Sequence, residues 1–368
     1  MRRKVSSGRI TACSIYGIVA LLMIAAFICT PDHGFRAGAA KAEKGGLLEI
    51  ILIDVGQGDS TLVKSPDGRF LLIDSGESKN IGAVINALKG AGAEKLDYVV
   101  STHPHSDHIG GFPKILGQFT VNEVFDIGKP HTTSTYRNYL EAVRSSGAKF
   151  NLARAGVSFM LGSSVKVSFL WPDDDMPNDI NDSSCVLLIE YLQFDALFAG
   201  DIGSNLEGML IDEEMIPDVE LLKAAHHGSK YSSSASFLES ASPELVVIQV
   251  GNGNDYGYPH PQAIGRIEAV SAEVFRTDRD GSITVTSDGN NWWVRSDRGR
   301  IAGGKAEGGL TQLEHVSDLI YVGSVNSAVF HLQECDSVKD ILKANLVVYS
   351  NREEAVGKGK RPCKVCNP

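Results

Sequence analysis

At 368 residues, with 43% hydrophobic and 22% charged side chains, the chain has room for two packed domains and excludes a wholly disordered or multi-span membrane protein. Its 38 glycines follow no triplet period, which excludes a collagen-like rod. A formal charge of -10 argues against a uniformly basic nucleic-acid-binding coat.

In chain order, Arg2, Arg3 and Lys4 precede an apolar stretch from Ile15 to Ile28, then Pro31 and the small-residue run Ala37-Gly38-Ala39-Ala40. That order is the n, h and c regions of a secretory signal, so residues 1–39 are expected to be a leader directing export, with an uncleaved N-terminal membrane tether as the alternative. From Leu47 onward, β-type runs such as LLEIILIDV, LDYVVST, CVLLIEYL and ELVVIQVG alternate with turns and helical segments. This rhythm predicts two β-layers carrying helices, an α/β sandwich over residues 46–296. Helices are expected over IGAVINALKGAG and from Tyr136 to Ser146. The glycine-rich and charged text RGRIAGGKAEGG reads as part of a linker over residues 297–317. A small unit, residues 318–368, follows and is too short to stand on burial alone.

The densest chemical signal is His103-Pro104-His105-Ser106-Asp107-His108, directly after LDYVVST. Three imidazoles and a carboxylate at the end of a strand can converge on one or two cations. Asp201 ends the run ALFAG, where its carboxylate could bridge two ions. His226 and His227 close VELLKAA; on an extended segment their side chains would point opposite ways, so one is expected to be a ligand, with His226 slightly favoured and His227 left to contact substrate. In the small unit, His331, Cys335, Cys363 and Cys366 form a Cys3His set suited to a closed structural Zn2+ site, a disulfide being the competing reading.

With these motifs in order, the sequence resembles the metallo-β-lactamase superfamily, whose hallmark is H-x-H-x-D-H. The segments Asp54-Val55-Gly56-Gln57-Gly58-Asp59-Ser60, Leu72-Ile73-Asp74-Ser75-Gly76, Asn181-Asp182-Ser183-Ser184, Ala199-Gly200-Asp201, His226-His227-Gly228-Ser229 and Tyr256-Gly257-Tyr258-Pro259-His260 are similar to the branch found in ComEC-type DNA-uptake proteins and their secreted relatives. The resemblance implies a four-layer αββα sandwich. It also implies one metal on His103 and His105, a second on Asp107, His108 and the later His, and Asp201 between them. Zn2+ is the expected ion, with Mn2+ possible. The family's third His for the first metal has no counterpart here; Asp182 offers an oxygen at that place or merely forms a turn. Asp74 is expected to orient the ligand loop, and Asp54, Gln57, Asp59 and Asn181 to orient groups or touch substrate. Where the branch reads Tyr-Gly-His-Pro this chain has Tyr258, so either His260 takes over a catalytic role beside Asp107 and His227, or that role is weakened. The C-terminal text is similar to the zinc-binding domain of Ada-type DNA alkylation-repair proteins. His331 stands in place of that family's first cysteine, which points to a scaffold or DNA-docking role for the unit, with Lys358, Lys360, Arg361 and Lys364 as a basic cluster.

The expected function is that of an exported metal-dependent hydrolase acting through metal-activated water, and the resemblance implies a phosphodiesterase or nuclease with extracellular DNA as its substrate. Hydrolysis of a small ester, lactone or β-lactam is the alternative within enzymes. A non-catalytic DNA- or metal-binding surface protein is the alternative outside them.

Overall fold

The computed structural model describes residues 46–306 and, with short breaks, 321–366. The expected leader, residues 1–39, and the later part of the expected linker, residues 307–317, lie outside the described residues.

Strands β1 (Leu48–Leu52), β2 (Thr61–Lys64), β3 (Phe70–Ile73), β4 (Lys95–Ser101), β5 (Thr120–Asp126) and β6 (Lys149–Leu152) lay down most of a first sheet. A second sheet holds β7 (Ser158–Leu161), β8 (Val165–Trp171), β9 (Val186–Tyr191), β10 (Phe194–Phe198), β11 (Leu221–Lys223), β12 (Leu245–Ile248) and β13 (Glu273–Arg276). The chain then returns to the first sheet as β14 (Ile283–Ser287), β15 (Asn291–Ser296) and β16 (Ile301–Lys305), giving the nine-strand order β16-β15-β14-β1-β2-β3-β4-β5-β6.

Side-chain pattern explains the layering. In β1 the residues Leu48, Ile50 and Leu52 are buried and alternate with half-buried neighbours, while LVVI of β12 is buried throughout, as expected of a parallel strand covered on both faces. One core lies between the sheets and includes Ile50, Leu71, Phe169, Tyr191 and Trp292. A second packs α1 (Ile81–Gly90), α3 (Phe112–Gln118) and α4 (Ser134–Ser146) through Val84, Leu88, Ile115 and Tyr139. A third packs α5 (Ser204–Asp212), α6 (Ala235–Ala241) and α7 (Pro261–Ala269) through Leu206, Phe237 and Ile267. Each such fully buried side chain contributes about 1.5–3 kcal/mol, and three cores between four layers make the αββα sandwich. α2 (Ser106–Ile109) is a single turn within the ligand loop.

The linker expectation is corrected at its start. Ile301–Lys305 pairs antiparallel with β15, and Gly304 stands opposite Trp292. A Cβ at Gly304 would lie 2.7 Å from the indole ring, so its glycine makes room for a buried aromatic and does not mark flexibility.

The C-terminal unit is a separate four-stranded sheet, ordered β19-β17-β18-β20, from β17 (Tyr321–Ser324), β18 (Val329–Leu332), β19 (Leu346–Tyr349) and β20 (Arg361–Pro362). Among the described residues its buried apolar cluster is Phe330, Tyr349 and Ala355.

Candidate metal centre

Two runs of parallel strands create the site. β3, β4, β5 and β6 run parallel in one sheet and β10, β11, β12 and β13 in the other. Ligands in such sheets gather outside the carboxyl ends of the strands. Asp74 follows β3, His103 follows β4, Asp201 follows β10 and His227 follows β11. Sequence positions more than a hundred residues apart are thereby brought to one place.

The convergence is on a single atom. Oδ2 of Asp201 lies 3.3 Å from Nε2 of His108, 3.4 Å from Nε2 of His227, 3.8 Å from Nε2 of His103 and 3.9 Å from Nε2 of His226. Oδ2 of Asp107 is 3.4 Å from Nε2 of His227 and 3.8 Å from Nε2 of His108. Donors held about 2.1 Å from one tetrahedral ion stand about 3.4 Å apart; Asp107, His108 and His227 form one group spaced for a cation, and His103, His108 and Asp201 form a second. His105 joins from the side, its Nδ1 3.0 Å from Nε2 of His103. Nε2 of His108, Nε2 of His227 and Oδ1 of Asp201 are buried without a hydrogen-bond partner, as suits atoms that would ligate an ion.

Surrounding groups aim these ligands. Asp74 accepts from the Thr102 amide at 2.9 Å, the Thr102 hydroxyl at 2.6 Å and Nδ1 of His108 at 2.8 Å, leaving Nε2 of His108 to the cation site. Nδ1 of His227 is 3.0 Å from the Gln249 carbonyl and 3.2 Å from Asp59. Asp59 is tied to the ligand loop through its own amide, which donates to the Asp107 carbonyl at 3.1 Å. That approach requires Gly58, where φ is +121° and a Cβ would meet the same carbonyl at 2.2 Å.

Charge in the site is set by buried carboxylates. Burial alone would lower the His108 pKa, but Asp201, Asp107 and Asp74 outweigh it and hold the imidazole well above its usual value. His227 is raised in the same way, by Asp201 and Asp59 against burial. Burial raises Asp74, whereas Asp201 is held well below the carboxylate range because His227 and His108 overcome its desolvation. The cluster therefore calls for positive charge, supplied by protons on two imidazoles or by a divalent ion that displaces them.

Several sequence expectations are corrected. His226 and His227 do not lie on an extended segment: both sit in a left-handed turn, at φ 48° and 53°, and both side chains reach toward Asp201. His227 is the buried member of the ligand group, while His226 is partly exposed at the rim. Asp182 uses Oδ1 to accept from the Gly203 amide at 2.8 Å and its carbonyl to accept from Trp171, so it holds a loop and does not face the cation site. Nδ1 of His260 accepts from the Gln262 amide as the N-cap of α7. Tyr258 is the residue beside the centre, its ring 5.6 Å from that of His226. Asp54 caps its own loop through the Gly56 amide, Gln57 accepts from the Gly251 amide, and Asn181 carries a buried Oδ1 without a hydrogen-bond partner.

Two residues escaped the sequence reading. Lys223 ends β11 fully buried, forms an ion pair with Asp59 and lies 3.9 Å from Oδ1 of Asp201. The signal was a lone lysine in an otherwise apolar strand. His131, whose ring is 6.0 Å from His105, lies at the opposite rim and carries no recognisable motif.

In the C-terminal unit, β18 and β20 run parallel and bring His331, Cys335, Cys363 and Cys366 together, with candidate ligand atoms within 4.8 Å of one another. No disulfide joins the cysteines among the described residues. Burial pushes the Cys366 thiol up to about 11, and Nδ1 of His331 is buried without a hydrogen-bond partner. Lys360 of the expected basic cluster donates to the Ser324 and Ser327 carbonyls.

Comparison with known proteins places the chain in a family. The chain is similar to ComE operon protein 3 of Bacillus subtilis, at 28% identity over 255 residues, 64% of this chain and 32% of that protein. It is 30% identical over 268 residues to competence protein ComA of Neisseria gonorrhoeae, covering 72% of this chain and 35% of that one. Ribonuclease Z of Clostridium perfringens is 24% identical over 148 residues, 37% of this chain and 46% of that protein. The chain spans about a third of the length of the two competence proteins it matches. Residues 53–251 match the metallo-beta-lactamase superfamily, more than half of the sequence and the whole of the imidazole and carboxylate set from His103 to His227, and the chain belongs to that superfamily.

Proposed function

We propose that the chain is an exported metal-dependent hydrolase that cleaves phosphodiesters, with DNA outside the cell as its substrate. The observation that carries the reading is the set of imidazole nitrogens from both sheets facing Oδ2 of Asp201. Names of relatives support the finer parts: competence proteins speak for DNA and a ribonuclease for phosphodiester chemistry. Export rests on the leader-like residues 1–39.

His103, His105, Asp107, His108, Asp201 and His227 would hold one or two Zn2+ or Mn2+ ions. Such ions supply a water ionised near neutral pH and charge neutralisation for the attacking and leaving oxygens. The protein's part is positional. Asp74 holds His108 in one tautomer, and the Lys223–Asp59 pair stands behind Asp201 and His227. Asp107, the more exposed of the carboxylates in the ligand group, accepts a hydrogen bond from the attacking water and orients it. Tyr258 donates to the leaving oxygen from the rim; as a hydroxyl it does not carry a proton near neutral pH as imidazole does.

The test is turnover by Zn2+- or Mn2+-loaded protein on bis-p-nitrophenyl phosphate, single-stranded DNA and a chromogenic cephalosporin, in parallel. Cleavage of both phosphate substrates supports the reading. Cleavage of the cephalosporin alone replaces it with acyl hydrolysis, and DNA binding without product, insensitive to His105→Ala, replaces it with a binding protein.

A further inference from the structure

The loop between β12 and α7 presents an aromatic track that begins at the metal centre. The Tyr258 ring lies 6.5 Å from that of His227 at an interplanar angle of 32°, and the Tyr256 ring follows at 5.6 Å and 17°, nearly parallel. Tyr256 is 67% exposed, so its ring is open to a ligand. Asn254 fixes the loop: its side-chain oxygen accepts from the Tyr256 amide at 3.1 Å and the Tyr258 amide at 3.0 Å, and its nitrogen donates to the Gly251 and Tyr258 carbonyls. The backbone that carries both rings is therefore held in place before any ligand arrives, which lowers the entropy cost of binding on them.

We propose that Tyr258 and Tyr256 are a stacking platform for an unpaired nucleobase next to the phosphodiester being cut, making the substrate a single-stranded nucleic acid or a frayed end; this rests on the phosphodiesterase reading. Charge favours this source of affinity. A chain of net charge -10 gains little from a general attraction to the phosphate backbone, which gives the metal centre and π faces more weight in binding. In a closed duplex those faces are covered by neighbouring base pairs. An unpaired base offers a free face to Tyr256 while its phosphate reaches the site beside His227.

The experiment compares metal-loaded wild type, Tyr256→Ala and Tyr256→Phe on bis-p-nitrophenyl phosphate and on a short single-stranded oligonucleotide carrying 2-aminopurine. The expected result is a roughly tenfold fall in the ratio of kcat/KM for oligonucleotide over small diester in Tyr256→Ala, carried by KM, with Tyr256→Phe near wild type. Quenching of 2-aminopurine on binding should weaken in parallel. Equal ratios in all three proteins overturn the platform while the hydrolase stands. If wild type cleaves neither phosphate substrate, the hydrolase reading has failed, and the quenching alone then decides: loss in Tyr256→Ala upholds the platform as a binding site, and no difference overturns it.

Discussion

Asp74 and His108 are joined by a 2.8 Å hydrogen bond between Oδ2 and Nδ1, with both side chains buried behind the ligand loop. Because Nδ1 is spent on Asp74, Nε2 is the nitrogen that meets Asp201. Asp74 itself sits at φ 55°, a left-handed conformation that Asn also tolerates. Asp74→Asn should thus keep the backbone while losing the charge and one acceptor. Metal affinity, read by competition with a chelating dye, should fall about 10–100-fold. Wild-type affinity in this variant would deny Asp74 its orienting role.

Lys223 and Asp59 form a buried ion pair in which each side chain has nearly lost contact with water. Breaking one partner leaves an uncompensated charge, so Lys223→Met should cost about 3–5 kcal/mol in urea unfolding. The double variant Lys223→Met/Asp59→Asn should recover part of that cost, and the coupling between the two is the quantity to measure. Purely additive costs would mean that the pair contributes nothing as a pair.

The sandwich was legible because its strands carry their signature locally: alternation in LEIIL, saturation in LVVI, and a helical apolar stripe in IGAVINALKG. The ligand loop was legible for the same reason, since His103 to His108 is one short word. What failed depended on backbone torsion or on distant partners. His226 and His227 were misread because neither left-handed φ nor the turn it makes is written in their identity. Gly304 was misread because its partner, Trp292, is across a hairpin. Asp182 looks like a ligand in sequence and His260 like a catalytic group, and only the structure shows their bonds to the Gly203 and Gln262 amides. Lys223 needed the knowledge that two acidic residues, 59 and 201, meet its strand end.

The two consecutive histidines can be separated by Asn substitutions, which suit a left-handed residue. His227 lies within 3.4 Å of both Asp107 and Asp201, so His227→Asn should weaken metal binding more than about a hundredfold, beyond the loss expected for an outer group. His226→Asn should be milder. Metal content of the two dialysed variants reads this directly, and the reverse order would reassign the ligand.

At the opposite ends of the strands, burial and then Glu220 push the Glu244 carboxyl up to about 7. Its ordinary value is 4.5, so the folded protein binds this proton more tightly than the unfolded chain does. The stabilisation is complete below about pH 4.5 and is lost as pH rises through about 7. Glu244→Gln should consequently melt at a higher temperature than wild type at pH 8, with the gap closing toward pH 4.5. A gap independent of pH would show that Glu244 acts through packing and not through its charge.

The C-terminal sheet poses the sharpest energetic question. Phe330, Tyr349 and Ala355 are its buried apolar cluster, worth only a few kcal/mol at about 1.5–3 kcal/mol for each large side chain. A Zn2+ ion on His331, Cys335, Cys363 and Cys366 would add to this, because its binding free energy becomes folding free energy. Metal analysis should therefore find one zinc that resists mild chelation. Cys363→Ser should remove that equivalent and expose β17 to β20 to protease, while His105→Ala leaves it in place. If the wild-type cysteines titrate as disulfides and carry no zinc, the unit must be held by oxidation, and Cys363→Ser would then change thiol counts without changing metal content.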